Sequence, residues 1–346
     1  MRVDANTKIT FNDISKYTGL SKSTISRYFN NPDYLSSDNQ EKIRVALKEL
    51  NYKSNKLASN LAKGKTEFIG IIVPSFYYHF YSYFVNYILN TYQENGYKFI
   101  VFISNNSDAL EKKCLEELIS YQVEGLIILS HNLSSTYLSS LNIPAVTVER
   151  EDSHTNSVNT NNFYGAKLAV NKLVADHCEV LIHINSNVAK EIPSYGRIDG
   201  FKSSCKASGV KYELFLESFS DSYKETYDLL FNIYLAIKQK YPGIKKGIFM
   251  STDTSANILL NILVQNNEAV PSEYEIIGFD DAPIAEQAII PLTTIKQNIS
   301  EMSQCAMQLL NNQIEMKATN TPAQLSHIIC QPALIERNTT ENNCLS

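Results

Sequence analysis

The sequence predicts an α/β protein with two lobes of doubly wound parallel sheet, preceded by a small head of three helices. Three observations carry this prediction. From Phe68 onward, short apolar runs alternate with helical segments, a pattern typical of buried parallel strands joined by helices. Before Asn51, capping residues precede three short helical segments. The charge balance also changes sign between the two parts, which indicates different partners for head and body.

The charge is unevenly distributed. Residues 1–66 contain 12 Lys and Arg against 6 Asp and Glu, whereas the remainder contains 19 against 30, and the whole chain carries a formal charge of −5. A basic head on an acidic body indicates a polyanion as partner for the head alone. A chance excess of basic side chains on a solvated surface is the alternative explanation.

Composition excludes several classes of protein. At 346 residues, with 44% hydrophobic and 19% charged residues, the chain has the composition of an ordinary globular protein. No apolar run approaches the roughly 18 residues of a spanning helix, and the first residues lack a secretory pattern. The six cysteines are scattered without a C-x-x-C pair, which is typical of reduced cytoplasmic thiols. We therefore expect a cytoplasmic protein with no membrane segment, no metal and no cofactor.

The head contains the start signals of three helices. Thr10, with Asp13 as its capping-box partner, begins the first helix. Ser21 caps a second helix that ends near Phe29, and Ser37 opens a third after a break at Asn30-Asn31-Pro32-Asp33. Two short helices joined by a tight turn, followed by a third, are typical of a helix-turn-helix unit.

The second helix has a polar outer face. With Ile25 and Phe29 directed inward, the outward side chains are Lys22, Ser23, Ser26 and Arg27. A helix in the major groove uses such side chains at its N-terminus to contact base edges and phosphates. A plain helical hairpin with a polar face is the alternative.

The body contains apolar runs that predict buried strands at residues 68–73, 97–103, 125–129, 145–148, 179–184, 247–250 and 275–279. Helical segments separate them, so we expect two Rossmann-like lobes with a cleft between them. Small ligands bind such folds beyond the carboxyl ends of the strands. Ligand-binding side chains are therefore expected in the loops that follow these runs.

A family resemblance rests on the head and its continuation. The stretch "ITFNDISKYTGLSKSTISRYFNNP" followed by "EKIRVALKELNYKSNKLASNLAKGKTEFIGIIVP" resembles the N-terminus of the LacI/GalR family of bacterial transcription regulators. The resemblance implies a body like the periplasmic binding proteins and a domain division into residues 1–54, 55–66 and 67–340. It implies base contacts by Lys22, Ser23 and Arg27. Phosphate or positioning contacts are implied for Thr10, Thr24, Ser26 and Asn30.

The resemblance also implies a hinge helix. In the family, this helix orders on DNA and inserts a leucine into the minor groove, where such a wedge kinks the duplex. The residues in that register are Asn55, Leu57, Ala58 and Leu61, with Leu61 as the wedge. A helix of eight residues is too short to be stable alone, which suits a switch. The usual proline of the hinge is Ser54 here, and an ordinary linker helix is the alternative.

By the same resemblance, the loops after the strands line an effector pocket. Arg197 in R-x-x-G-F and Asp280 in G-F-D-D are the main candidates for binding effector hydroxyl groups. Further candidates are Phe80, Arg150, Asn161 and Asp253. The alternative for the charged residues is structural, as partners of surface carboxylates or as caps of turns.

These observations predict a regulator that binds a palindromic operator in double-stranded DNA as a homodimer. A tetramer is the alternative assembly. It is expected to repress carbohydrate-use genes under control of a small effector, a sugar or sugar phosphate. One alternative is a global catabolite regulator with a phosphorylated carrier protein as co-regulator. Another is a solute-binding protein, against which the basic head argues. We find no metal spacing among the histidines and no catalytic motif, so an enzyme is not expected.

Overall fold

A computed structural model describes residues 9–52, 65–150, 152–321 and 324–341. The chain divides into two compact units, residues 1–66 and 67–346. The predicted hinge residues Asn55, Leu57, Ala58 and Leu61 lie outside the described part of the chain. Within that part, no helix combines the length and the apolar character needed to cross a membrane.

The first unit contains the helices α1 Phe11–Thr18, α2 Lys22–Asn30 and α3 Ser37–Glu49. The predicted caps of the first two are confirmed. The Thr10 backbone N–H donates to the Asp13 carboxylate at 2.9 Å, and Ser21 Oγ accepts from the backbone N–H of Thr24 at 3.1 Å. Gly19 ends α1 at φ +72°, a conformation that costs glycine little. Caps and turn together set the angle between α1 and α2.

The predicted start of the third helix is wrong by one residue. Its N-cap is Ser36, whose extended backbone lets its Oγ accept from the Asn39 N–H at 3.4 Å, whereas Ser37 is already helical. Gln40 does not return a capping bond. Its side-chain amide donates to the carbonyl of Pro32 at 2.9 Å and so ties α3 to the preceding turn.

A small apolar core orients α2 within the head. Four fully buried side chains form it: Ile14, Ile25, Ile43 and Ala46. The rings of Phe11 and Phe29 stack beside them with centroids 5.3 Å apart. Since α2 buries Ile25 on this side, its N-terminal polar residues lie on the opposite, exposed side.

The described residues of the second unit form these strands: β1 Phe68–Val73, β2 Lys98–Ile103, β3 Gly125–Ile128, β4 Ala145–Val148, β5 Asn156–Thr160, β6 Val180–Ser186, β7 Lys211–Glu217, β8 Lys246–Met250, β9 Tyr274–Asp280, β10 Thr293–Lys296, β11 His327–Cys330 and β12 Ala333–Ile335. Their helices are α4 His79–Asn90, α5 Tyr92–Asn95, α6 Asp108–Ser120, α7 Ser135–Ser140, α8 Asn162–Ala175, α9 Tyr195–Ser208, α10 Tyr223–Lys240, α11 Asp253–Gln265, α12 Pro283–Gln287 and α13 Ile299–Ala318.

The strands form two sheets, one for each lobe. The first has the order β11-β5-β4-β3-β1-β2 and is parallel throughout. The second has the order β12-β10-β9-β8-β6-β7 and is parallel except for the edge strand β12. The predicted fold class is confirmed, and each predicted run contains a strand. The sequence pattern missed the strands β5, β7, β10, β11 and β12, the short helices α7 and α12, and the long helix α13.

The chain passes between the lobes at three adjacent places: between β5 and α8, between β10 and α13, and between β11 and β12. Hydrogen bonds join these crossings. The backbone N–H of Asn161 donates to the Cys330 carbonyl at 2.9 Å, and Thr160 Oγ1 donates to Gln297 Oε1. Three joined crossings make a hinge beside the ends of the central strands, where the sequence predicts the cleft.

Candidate functional site

The exposed face of α2 is the candidate DNA-contacting surface. Lys22, Ser23 and Arg27 are all exposed. In the described part of the chain, neither Lys22 nor Arg27 forms an ion pair, so both charges are available to a ligand. A helix that presents a hydroxyl and two cations from its N-terminal half has the groups needed for base edges and phosphates.

The other predicted DNA contacts also hold the ends of the helices. Thr24 Oγ1 lies 2.8 Å from Ser21 Oγ, and Asn30 Nδ2 donates to the Ser26 carbonyl at 3.0 Å. Thr10 is exposed but shares its hydroxyl with the α1 capping box. Each hydroxyl keeps acceptor capacity for a further partner. Thr24, Ser26 and Asn30 lie on α2, whereas Thr10 is the N-cap of α1.

A cavity of about 410 Å³ lies between the two lobes. Its aromatic lining residues are Tyr78, Phe80, Tyr81 and Phe219, and the polar side chains relevant below are His131, Glu149, Asn185, Arg197, Asp221, Asp280 and Gln297. Three of the sequence-predicted effector residues, Phe80, Arg197 and Asp280, are therefore brought together here. The cavity lies at the carboxyl ends of parallel strands, as expected for this architecture.

Arg197 is fixed in the first turn of α9. Helix α9 packs so closely on α8 that a Cβ at Gly200 would lie 2.3 Å from the Phe163 carbonyl oxygen. The guanidinium donates through Nε to Asn162 Oδ1 at 2.7 Å and through Nη1 to the Ser251 carbonyl. Its central carbon lies 3.6 Å from the centre of the Phe279 ring. These contacts hold the planar group against the cavity wall.

Asp280 lies at the end of β9 with φ at +121°, an unfavourable value for a residue with a side chain. Oδ1 accepts from Gln297 Nε2 at 2.7 Å, and Oδ2 is buried without a partner in the described part of the chain. Burial raises the pKa of Asp280 to about 7, while Arg197 opposes this rise. Backbone strain and an unpaired oxygen are both typical of a ligand-binding residue.

Glu149, which the sequence argument did not select, is a cavity residue. It follows β4 directly at φ +53° and accepts from the backbone N–H of Thr160 and from Asn162 Nδ2 at 2.9 Å. Burial raises its pKa, and Arg197 opposes this rise. The strand-end rule points to this position, but the prediction settled on its neighbour Arg150.

Arg150 does not line the cavity. Its side chain is 1% exposed and donates to the carbonyls of Ser130 and Leu133. Its Nη1 lies 3.4 Å from the Glu111 carboxylate. Arg150 therefore has a structural role, since it holds the loop after β3 through buried contacts and not through a surface carboxylate.

Asn161 and Asp253 are also absent from the cavity lining. Asn161 is the N-cap of α8 and accepts from the Tyr164 N–H at 3.1 Å. Asp253 is fully buried and accepts from the Ala282 N–H at 2.9 Å and from Thr294 Oγ1 at 2.6 Å. Both side chains are occupied in tying loops to helix starts.

Three cavity-lining residues carry a buried polar atom without a partner in the described part of the chain: Asp280 Oδ2, Asn185 Nδ2 and His131 Nδ1. Burial lowers the pKa of His131 to about 4, so the ring is neutral near pH 7. Asn185 follows a predicted strand directly and His131 follows another within two residues, so the strand-end rule could have found both. Gln297 lies on a crossing between lobes, for which the sequence gives no signal.

An acceptor, a donor and a neutral imidazole between aromatic walls are suited to a small ligand rich in hydroxyl groups. Among the described residues, no group of three or more His, Cys, Asp or Glu side chains is arranged to hold a metal ion.

Two family models match the chain. The model of bacterial regulatory proteins of the lacI family matches residues 10–55, which include all of α1, α2 and α3. The model of the periplasmic binding protein-like domain matches residues 170–340. Together they cover the head and the greater part of the body.

Known proteins resemble the chain over most of its length. The sucrose operon repressor of Streptococcus mutans is 31% identical over 308 residues, which are 89% of this chain and 93% of that protein. A lac repressor dimer bound to operator is 22% identical, with a TM-score of 0.81 over 96% of this chain and 99% of that one. A LacI family regulator from Enterococcus faecalis with bound ribose is 25% identical, with a TM-score of 0.67 over 79% and 98%. This chain belongs to the LacI family of bacterial regulatory proteins.

Proposed function

We propose that this protein is a sequence-specific DNA-binding repressor of carbohydrate-use genes, and that a sugar bound in the cavity between the lobes controls its binding to the operator. The observation that carries the proposal is the presence, in one chain, of an unpaired basic face on α2 and a polar cavity at the hinge of a two-lobed body. A solute-binding protein, the alternative from another class, leaves the match at residues 10–55 unexplained.

The DNA-binding part of the proposal rests on α2. Lys22, Ser23 and Arg27 contact base edges in the major groove, and the hydroxyls at the helix ends contact phosphates. Two copies of the head, related by a dimer axis, bind the two halves of a palindromic operator. Leu61 of each hinge enters the minor groove between the half-sites and bends the duplex.

The effector part rests on the cavity and on the named relatives. One relative is a repressor of a sucrose operon, and a structural relative holds ribose. Asp280 and Arg197 bind the sugar hydroxyls, and the rings of Phe80 and Phe219 pack on its C–H faces. Gln297 holds Asp280 in place by a direct hydrogen bond, and Glu149 holds Arg197 in place through Asn162, which bonds to both.

A coupling route follows from this placement. Gln297 contacts both Asp280 and Thr160, and therefore joins a cavity side chain to two of the three crossings between the lobes. A ligand that pairs with Asp280 changes the preferred angle of the lobes at this hinge. The changed angle between the lobes separates the hinge helices of the two protomers, which precede the body, and releases the operator.

The DNA-binding part is tested by selection from a library of random duplexes with the full chain. We expect enrichment of a palindrome with two identical half-sites. The variant Arg27→Ala should select a palindrome with relaxed sequence preference at one position of each half-site. Recovery of DNA without a shared sequence would contradict sequence-specific binding.

A further inference from the structure

We infer that one proton, held between the buried carboxyl groups of Glu275 and Asp176, closes an ionic clamp that fastens the C-terminal strap, residues 336–341, to the second lobe. Loss of that proton places two carboxylates together and loosens the strap. The clamp lies at the amino ends of β8 and β9, whereas the cavity lies at the carboxyl ends of the strands. The inference therefore concerns a part of the body to which the proposed function assigns no role.

The C-terminal strap follows the edge strand β12 and bonds to β9. The Thr339 carbonyl accepts from the Ile276 N–H at 3.0 Å, and the Thr339 hydroxyl donates to the Ile276 carbonyl at 2.7 Å. Near the start of the strap, Arg337 Nη2 donates to Asp281 Oδ1 at 2.6 Å. These bonds hold the start and the middle of the strap, and the clamp holds its end at Glu341.

Two lysines of the second lobe join the end of the strap to the buried carboxyl groups. Lys245 Nζ lies 2.7 Å from Glu341 Oε1 and 2.8 Å from Glu275 Oε1. Lys172 Nζ donates to the Glu341 carbonyl at 2.6 Å and lies 2.9 Å from Asp176 Oδ1. The backbone N–H of Glu341 also donates to Glu275 Oε1 at 3.3 Å. The position of the strap therefore depends on where the two buried carboxyl groups hold the lysines.

The two carboxyl groups are also bonded to each other. The side chains of Glu275 and Asp176 are 0% and 1% exposed, and Glu275 hydrogen bonds to Asp176. An ionised carboxylate only accepts hydrogen bonds, so one of the two groups must carry a proton for this bond to form. No N–H group in the described part of the chain donates to the buried Glu275 Oε2, and this oxygen is therefore open to carry the proton.

The surroundings keep the proton on Glu275 into the neutral range. Burial is the main cause that raises its pKa to about 7; Asp176 adds to the rise and Lys245 opposes it. The folded chain thus holds this proton longer than the unfolded chain, whose glutamate has a pKa near 4.5, and the stability falls as the pH rises between these values. The other titratable groups beside the clamp are Lys172, Cys178, Glu341, Glu336 and His177.

The test is hydrogen exchange of the full chain, measured by mass spectrometry from about pH 5.5 to 8.5 on peptides that contain the strap. After correction for the intrinsic exchange rate, protection of the strap should fall by about fivefold or more across this range, because two carboxylates meet when Glu275 ionises. Glu275→Gln keeps an acceptor for Lys245 and a donor for Asp176 without a proton that titrates, so its protection should change by less than about twofold. Equal falls in both chains, or native protection that does not change with pH, overturn the inference.

Thermal unfolding over the same range adds a second measurement. The midpoint of the native chain should fall by about 2–4 °C relative to that of Glu275→Gln as the pH rises. The matched control is Glu273→Gln, which removes an exposed carboxylate beside β9 and should follow the native pH dependence. Asp176→Asn removes the other carboxyl group and should also reduce the dependence. A slope that is the same in the native chain and in both clamp variants overturns the shared proton.

Discussion

The two buried arginines of the body allow a paired experiment that separates ligand binding from stability. Arg197 lines the cavity, whereas Arg150 does not, and their side chains are 6% and 1% exposed. Each donates at least two hydrogen bonds, at least one of them to a backbone carbonyl. The perturbation is the same in both: Arg197→Lys and Arg150→Lys keep the charge but replace a planar fork of donors with a single ammonium.

The expected loss of stability is similar for the two variants. A hydrogen bond to a charged group contributes about 1.5–3 kcal/mol, and a lysine can remake about one of the two bonds. The free energy of unfolding should therefore fall by about 2 kcal/mol in each variant, which lowers the thermal midpoint by about 3–4 °C for a unit of roughly 280 residues. Thermal unfolding of the full chain without sugar measures this loss.

The expected effect on sugar binding differs between them. Arg197→Lys should weaken binding of the best-binding sugar by about 10- to 100-fold, since it removes a positioned donor from the site. Arg150→Lys should leave the affinity within about twofold of the native value. Calorimetric titration at a temperature where both variants are folded gives the comparison. Equal losses of affinity in the two variants would refute the assignment of Arg197, and not Arg150, to the site.

Three further changes test other parts of the account. Arg27→Ala should weaken the operator by about 1–3 kcal/mol and random DNA much less, as measured by fluorescence anisotropy, and equal losses on both would remove Arg27 from base contact. Leu61→Ala should reduce operator bending, measured by energy transfer between labelled DNA ends, with sugar affinity unchanged; bending that survives would place the wedge elsewhere. Burial raises the pKa of Asp280 to about 7, above its unfolded value near 3.9, so the native state holds the proton longer and stability falls as the pH rises between these values. Asp280→Asn should flatten that fall in thermal midpoints measured from about pH 4 to 7, and an unchanged slope would contradict the shift.

Much of the fold followed from local patterns. Runs such as residues 68–73 are apolar throughout because these strands are covered on both faces, which makes them visible in the sequence. Strand β5 was missed because its sequence NSVNT is polar, although four of its five residues are buried. The edge strands β11 and β12 have only four and three residues, HIIC and ALI, so their apolar residues are too few to stand out as a strand-length run. Their pairing depends on the lobe crossings, which are tertiary features.

The candidate site was predictable to the level of the loops but not of the side chains. The strand-end rule led to Glu149 and Arg150 together, and only the structure shows that the first faces the cavity and the second a neighbouring loop. Asp253 was selected for the same reason, but it is the first residue of α11 and bonds to the Ala282 N–H. Which of two adjacent residues faces a cavity depends on backbone geometry at one position, such as the positive φ of Glu149.

The central claim is that sugar and operator binding are coupled through one chain. The direct measurement is the operator affinity of the full chain, by fluorescence anisotropy, without and with a saturating amount of the sugar that binds best. The account predicts that the sugar weakens operator binding by at least about fivefold, and that operator DNA weakens sugar binding by the same factor. An operator affinity that is unchanged or increased when the sugar occupies the cavity would contradict it.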